Sequence, residues 1–200
     1  MKKLKSLALV AALFALPMSQ ASAFLVNIYS ASPMTTLAQA DAAIAAGNPT
    51  FTAQTSVIEF DDLGDGTRGL FSLNNAFPGG ANNNFAARIT GNFLIGTAGQ
   101  WTLGINHDDG ARLKIDGVVV ATADNAVDNR TTTYTFANLA AGLHSVEIVY
   151  FETGGGASLE FFGAQGTGPY ALINSVPEPS TLALLGLGLV GLGMSRRKRG

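Results

Sequence analysis

Two adjacent aspartates followed by glycine, Asp108-Asp109-Gly110, are the residues of this chain whose type and spacing most directly suggest chemistry. Carboxylate oxygens are preferred ligands of Ca²⁺, which takes about six to eight oxygens. Neighbouring side chains on an extended strand point apart, so both can reach one ion only on an unusual backbone. The alternative is structural: both aspartates cap a turn by accepting backbone N–H groups. The sequence leaves both interpretations open.

The acidic segment from Asp61 to Gly66 has the composition of an EF-hand calcium loop but not its spacing. If Asp61 is position 1, position 12 is Ser72, where that loop requires a bidentate glutamate. We therefore expect a solvated acidic turn here. A later polar segment that contains Asn125 is also predicted to be a turn, and it could form the rim of a ligand site.

The chain lacks the residues that most other kinds of catalytic or metal site require. The chain has no cysteine, which excludes thiol catalysis and thiolate zinc sites. His107 and His144 are its two histidines, and no third nitrogen or sulfur ligand is available for zinc. No serine lies in a nucleophile-elbow pattern, and the carboxylates lack a recognisable acid/base partner for glycoside hydrolysis. We therefore predict that the protein is not an enzyme.

The elements that must position these residues are predicted to be mostly β-strands. Side chains alternate between apolar and polar in short segments separated by glycine-bearing turns, and Asp116-Gly117 marks a tight hairpin. The predicted strands are 23–30, 57–60, 85–95, 101–107, 111–117, 118–122, 131–136, 143–151 and 158–162. This spacing predicts an all-β protein with an antiparallel β-sandwich.

One short N-terminal helix is predicted over residues 35–46. Thr36 and Gln39 form a capping box, an apolar stripe follows, and Gly47 ends the helix. Residues 61–84 are rich in Gly, Asn and Asp and are predicted to form a long surface loop.

Both ends of the chain carry sorting signals. Three lysines within the first five residues precede an apolar stretch over 7–16, and Ala21-Ser22-Ala23 has the small-x-small pattern of a signal-peptidase site. Residues 1–23 are therefore predicted to be a signal peptide. The protein is then exported through the inner membrane.

The C-terminal residues combine three ordered features. Pro177, Glu178 and Pro179 favour an extended segment, residues 182–194 are apolar or glycine, and a basic cluster covers 196–199. The thirteen apolar residues reach roughly 20 Å as a hydrophobic helix, less than the ~30 Å of a membrane core. Residues 176–200 resemble the PEP-CTERM sorting region, which implies an exosortase-type enzyme and a signal peptidase as partners, and membrane contact only through this segment.

Removing both ends leaves residues 24–175, the size of one domain. Lys and Arg then fall from 12 to 5 and Asp and Glu from 14 to 13, which gives a net charge of −8. Such a surface repels nucleic acid and attracts cations.

The order of segments within this domain resembles the protective-antigen fourteen-kilodalton domain. The likeness is strongest over 85–162 and most specific at Asp108-Asp109-Gly110 and the hairpin sequence that follows it. This family includes β-sandwiches in which paired aspartates hold a Ca²⁺ ion that binds sugar hydroxyls. The resemblance implies Asp108 and Asp109 as metal ligands and carbohydrate-binding residues. We expect Glu152 and Asn125 as further carbohydrate-binding residues, Asn125 because its polar segment could form the rim of the site. Sugar-binding members add an asparagine from a later loop. The matching residues 152–156 have none, and Glu152 is the candidate to replace it.

The two resemblances together predict an exported or surface-displayed carbohydrate-binding β-sandwich in an extracellular polysaccharide matrix, with Ca²⁺ as the cofactor that they imply. Its expected location after export is the cell surface, the outer membrane or the extracellular matrix. The alternative is a structural matrix or surface protein of the same fold without a specific ligand.

Overall fold

The structure is a computed structural model of the chain, and it describes residues 23–30, 33–62, 69–71, 75–125 and 130–176. These residues belong to one unit, Ala21–Glu178. Most of the predicted signal peptide and nearly all of the predicted sorting region lie outside them. No helix within the described ranges has both the length and the apolar character needed to cross a membrane, and the apolar run 182–194 is outside those ranges.

The described residues form eleven strands and one α-helix. The helix is α1 (Leu37–Ala45). The strands are β1 (Phe24–Ser30), β2 (Phe51–Thr55), β3 (Glu59–Asp61), β4 (Phe85–Ile95), β5 (Gly99–Asp108), β6 (Gly110–Ile115), β7 (Val118–Ala123), β8 (Arg130–Leu139), β9 (Gly142–Glu152), β10 (Ser158–Gln165) and β11 (Ala171–Leu172).

The strands are arranged in two antiparallel sheets. The first has the order β2-β1-β4-β9-β6-β7, and the second has the order β11-β10-β5-β8, with β3 also paired to β10. This arrangement confirms the predicted all-β sandwich with one short helix. The chain passes from the second sheet to the first between β5 and β6, where the two aspartates lie.

The hydrophobic core lies between the two sheets because alternate side chains of each strand point to opposite faces. Leu103 and Ile105 of β5 are fully buried, as are Ile148 of β9 and Phe161 of β10. Phe161 meets Phe93 of β4 edge to face, with ring centroids 5.5 Å apart. These inward positions anchor the long strands whose ends carry the polar residues described below.

The helix α1 begins at the predicted capping box. The Thr36 hydroxyl accepts from the Gln39 N–H, and the Gln39 side chain accepts from the Thr36 N–H. Leu37 and Ala40 are buried in a second, smaller cluster that also contains Phe151 of β9. The helix therefore covers the outer face of the first sheet.

The segment 51–61 differs from its prediction. Residues 51–55 form β2 on the edge of the first sheet, although the sequence indicated no strand there. Asp61 is buried in β3, with 3% of its surface exposed, so the prediction of a solvated acidic turn is wrong for this residue. The physical reason is that Asp61 pairs with Ser158 of β10 and donates its N–H to the Asn75 carbonyl, so it is part of the sheet rather than of a turn.

Candidate functional site

The connection between β5 and β6 is one residue long. Asp108 ends β5 in the second sheet, Gly110 begins β6 in the first, and Asp109 alone joins them. The peptide bond between the two aspartates is cis. A Cβ atom at Gly110 would lie 2.2 Å from Cε1 of Phe151, so this crossing requires glycine at its third position.

Three carboxylates converge at this crossing. One oxygen each of Asp108, Asp109 and Glu152 lies within 4.8 Å of the other two. Glu152 reaches the aspartates because it ends β9, the neighbour of β6 in the first sheet. All three residues are buried, with exposed fractions of 5%, 7% and 0%. We call these three residues the carboxylate cluster.

The structure thus brings together three of the four predicted carbohydrate-binding residues, including both predicted metal ligands. The fourth, Asn125, is exposed just after the end of β7 and is not a member of the carboxylate cluster. Its neighbour Asp124 accepts a hydrogen bond from the Leu37 N–H at the start of α1, 2.5 Å away. Asn125 therefore lies next to the residue that connects the end of β7 to the helix.

One buried oxygen of the carboxylate cluster has no hydrogen-bond donor among the described residues. Oδ2 of Asp109 accepts from the Thr153 N–H at 2.8 Å, and Oε2 of Glu152 accepts from the Tyr150 hydroxyl at 3.1 Å. Oε1 of Glu152 is buried and has no hydrogen-bond partner in the described part of the chain. A buried carboxylate oxygen without a donor is costly, so this oxygen is free to accept a further group.

The electrostatics of the carboxylate cluster lead to the same conclusion. Burial and, next, the charge of Asp109 raise the pKa of Glu152 to about 8, although the Tyr150 hydroxyl and the Gly154 N–H act in the opposite direction. The charge of Asp108 adds to the increase. Like charges this close in a buried site disfavour ionisation of one another. A bound cation would reverse that effect.

The donor set fits Ca²⁺. All three candidate ligands are carboxylate oxygens, which this ion prefers, and carboxylates can bind it through one or both oxygens. The buried Oε1 of Glu152 supplies a donor that no protein group uses in the described residues. The protein therefore offers both the ligand type and the unmet charge that such an ion requires.

Two buried side chains hold the backbone of the crossing, and the sequence did not predict either role. The Tyr150 hydroxyl donates to the carbonyl of Asp108 and shares the same proton with the more distant Oε2 of Glu152. Nδ1 of His107 lies 2.5 Å from the carbonyl oxygen of Asp109, and Nε2 lies 2.9 Å from Oγ1 of Thr132 on β8. The available signal was their place at inward positions of strands, since a buried Tyr or His needs partners for its polar atoms.

His107 and Tyr150 remain uncharged in this environment. Burial lowers the pKa of His107, partly offset by the hydrogen bond to the Asp109 carbonyl. Burial, together with the charge of Glu152, raises the pKa of the Tyr150 hydroxyl well above its ordinary value. Neither side chain therefore compensates the negative charge of the carboxylate cluster.

The segment before α1 lies beside the carboxylate cluster. Thr153, whose N–H donates to Asp109, also donates its hydroxyl to the carbonyl of Met34. The Gly155 N–H donates to Oδ1 of Asn83, which connects the segment after β9 to the residues before β4. Three chain segments therefore meet at residues 153–155, directly after Glu152.

Comparisons with known families agree with this architecture. The family model of the PA14 domain matches residues 44–169, and the PEP-CTERM protein-sorting motif matches residues 175–198. The sorting motif indicates processing by an exosortase and export to the cell surface or beyond. No curated protein sequence matches this chain.

Solved structures share the fold. A PA14 sugar-binding domain from an RTX adhesin is 23% identical, with a TM-score of 0.60, over 79% of this chain and 99% of that one. The PA14 domain of the antifreeze protein MpAFP is 21% identical, with a TM-score of 0.62, over 82% and 96%. The Epithelial Adhesin 6 A domain from Candida glabrata, solved in complex with Galβ1-3GlcNAc, is 12% identical, with a TM-score of 0.56, over 78% and 85%. With the family model covering most of the sandwich, this chain belongs to the PA14 domain family and carries a C-terminal PEP-CTERM sorting motif.

Proposed function

We propose that this protein is a surface-displayed carbohydrate-binding module that holds its ligand through a Ca²⁺ ion at Asp108, Asp109 and Glu152. The observation that carries the proposal is the convergence of three buried carboxylates, one of which keeps an oxygen without a hydrogen-bond partner in the described residues. A cation at this point satisfies that oxygen and offsets the burial and the repulsion that raise the pKa of Glu152.

The residues have separate roles in this proposal. Asp108, Asp109 and Glu152 hold the ion, while Tyr150 orients the carboxylate of Glu152 by donating to its Oε2. When bound, Ca²⁺ supplies coordination positions that sugar hydroxyls can fill. Asn125, on the exposed segment after β7, is proposed to form part of the rim that contacts the sugar.

Structural neighbours support carbohydrate as the ligand class. One is described as a PA14 sugar-binding domain from an adhesin, and another as an adhesin domain in complex with a disaccharide. The proposed setting is an extracellular polysaccharide matrix, reached through a signal peptidase and an exosortase. The net charge of −8 over residues 24–175 favours an environment rich in cations.

Binding of the purified full-length chain to a glycan array, with Ca²⁺ and with a chelator, tests the proposal. We expect binding to at least one glycan class in Ca²⁺, loss of binding in the chelator, and loss of binding for Asp109→Asn in either condition. Asp41→Asn is a suitable control, because Asp41 lies on α1 and pairs with Arg112 rather than with the carboxylate cluster.

Two results would contradict the proposal. Absence of glycan binding and of Ca²⁺ binding would leave a structural surface protein of the same fold. Hydrolysis of a polysaccharide that disappears in Glu152→Gln would show an enzyme instead of a binding module.

A further inference from the structure

We propose that His107, oriented by Thr132, is a positioning residue that sets the cation affinity of the carboxylate cluster without touching the ion. This inference rests on the proposed function, because it concerns the strength of the same site. Neither residue was among the predicted site residues. The juxtaposition that supports it is the pair of contacts from the His107 ring to the Asp109 carbonyl and to the Thr132 hydroxyl.

The two contacts determine which ring nitrogen carries the proton. A carbonyl oxygen can only accept, so Nδ1 of His107 must donate to Asp109. In the neutral ring Nε2 is then an acceptor, and the Thr132 hydroxyl is the donor that satisfies it. The Asp109 carbonyl therefore selects the ring tautomer, and Thr132 satisfies the other ring nitrogen and fixes the orientation of the ring.

Asp109 is held at two points that together orient its carboxylate. Its carbonyl accepts from His107 in the second sheet, and its Oδ2 accepts from the Thr153 N–H that follows β9 in the first sheet. Since Asp109 is the one residue that joins β5 to β6, a shift of its backbone moves its carboxylate relative to Glu152. Partners that orient a metal ligand commonly change metal affinity by about 10-fold to 100-fold when they are removed.

The position of Thr132 on its strand allows a matched control. Thr132 pairs with Ile105 of β5, so its side chain lies on the inner face of the second sheet, where it meets His107. Thr133 is the next residue of the same strand, faces outward and is exposed. Replacing either threonine with valine retains the β-branched shape and removes one hydroxyl.

The first experiment compares Ca²⁺ titrations of full-length wild type, Thr132→Val and Thr133→Val by isothermal titration calorimetry at a temperature where all three are folded. We expect the Kd of Thr132→Val to rise about 10-fold, with stoichiometry unchanged, and the Kd of Thr133→Val to match wild type. A purely structural role for the hydroxyl would lower the Tm of the calcium-free protein and leave the Kd unchanged, and that result would overturn the inference.

Substitutions of His107 provide the second comparison. His107→Asn keeps a side-chain N–H near the position of Nδ1, whereas His107→Leu removes the donor. We expect Ca²⁺ affinity to decrease in the order wild type, His107→Asn, His107→Leu, with a folded circular dichroism spectrum as the condition for including each variant. If Thr132→Val and the folded His107 variants bind Ca²⁺ with the same Kd as wild type, the positioning role is refuted. Failure of wild type to bind Ca²⁺ would instead refute the proposed function.

Discussion

Glu152 and Glu160 are both buried glutamates on long strands of this sandwich, and they differ in what meets their oxygens. Glu160, on β10, accepts from the Leu70 N–H at 2.6 Å with Oε2 and from the Phe71 N–H at 2.8 Å with Oε1. Glu152, at the end of β9, accepts from Tyr150 with one oxygen, and its other oxygen has no partner in the described residues.

This difference distinguishes Glu160, a structural carboxylate, from Glu152, a candidate metal ligand. Burial raises the pKa of both groups. Two backbone N–H groups oppose that increase at Glu160, and the Tyr150 hydroxyl and the Gly154 N–H oppose it at Glu152. Glu160 is thereby used to hold a loop segment against the second sheet. Glu152 faces Asp109 and Asp108, and in the proposed function a cation completes its environment.

The pH dependence of stability provides the largest expected effect. The pKa of Glu152 is about 8 in the folded, calcium-free protein, against an ordinary value of 4.5, so between these pH values the folded state binds more protons than the unfolded state. The free energy of unfolding contributed by this group therefore falls as pH rises from about 4.5 to about 8.

Urea unfolding at several pH values, with chelator and with Ca²⁺, measures this effect. We expect the decline to be smaller in Glu152→Gln, which has no proton to lose, and to be reduced by saturating Ca²⁺ in wild type. A decline of equal size in wild type and Glu152→Gln would show that Glu152 does not titrate in the way described.

Substitution of the two glutamates gives the next largest effect. In Glu160→Gln an amide N–H₂ group replaces one of the two carboxylate oxygens, so one of the two backbone N–H donors loses its acceptor. We expect the free energy of unfolding to fall by about 3 kcal/mol, with or without Ca²⁺. In Glu152→Gln we expect no loss in the calcium-free protein and no stabilisation by Ca²⁺. Denaturant unfolding of both variants measures these effects. An equal loss of stability in both variants would contradict the distinction between Glu160 and Glu152.

Substitution of Gly110, the glycine of the crossing, should lower the stability nearly as much. A Cβ at Gly110 would lie 2.2 Å from the Phe151 ring, so Gly110→Ala forces that ring to move and should cost about 2 kcal/mol. Gly96→Ala is the control, because no atom lies within 4 Å of a Cβ at that position. Thermal unfolding measures both, and a Gly110→Ala Tm equal to that of the control would contradict the tight crossing.

Local features of the fold were predictable where they depend on short-range chemistry. The capping box at Thr36 and the hairpin at Asp116-Gly117 follow from side chains within three residues of each other, and both are present. The burial of Asp61 was not predictable, because it depends on pairing with Ser158, almost one hundred residues away. Acidic residues usually lie at the surface, and Asp61 is an exception because this strand pairing buries it.

The carboxylate cluster was predictable only in part. Family resemblance indicated Asp108, Asp109 and Glu152 as candidates, but their convergence depends on β9 lying beside β6 in the first sheet. The proposed roles of His107 and Thr132 depend on the pairing of β5 with β8, which no local spacing indicates. Periodicity showed that these residues lie on strands, and the fold determined their partners.

The two buried histidines extend the comparison and give the smallest expected effect. His107 meets one acceptor and one hydroxyl, whereas His144 meets two acceptors, the Asp116 carboxylate at 2.6 Å and the Ala140 carbonyl at 3.0 Å. Burial alone would lower the pKa of His144, but these two acceptors raise it above its ordinary 6.5. Its stabilising contribution is therefore complete below pH 6.5 and is lost as pH rises through the raised pKa.

Because Asp116 is half exposed, we expect this pair to contribute less than about 1 kcal/mol. Comparison of wild type with His144→Gln in urea at pH 6 and pH 8.5 measures it. The variant should be less stable at the lower pH and nearly equal to wild type at the higher one, and the reverse pattern would contradict the assignment.

Direct measurement of Ca²⁺ stoichiometry by isothermal titration calorimetry on the full-length chain tests the central claim. The account predicts one ion per chain in wild type and in Glu160→Gln, and none in Asp109→Asn. Absence of binding at millimolar Ca²⁺ in wild type, or equal binding by wild type and Asp109→Asn, would contradict it.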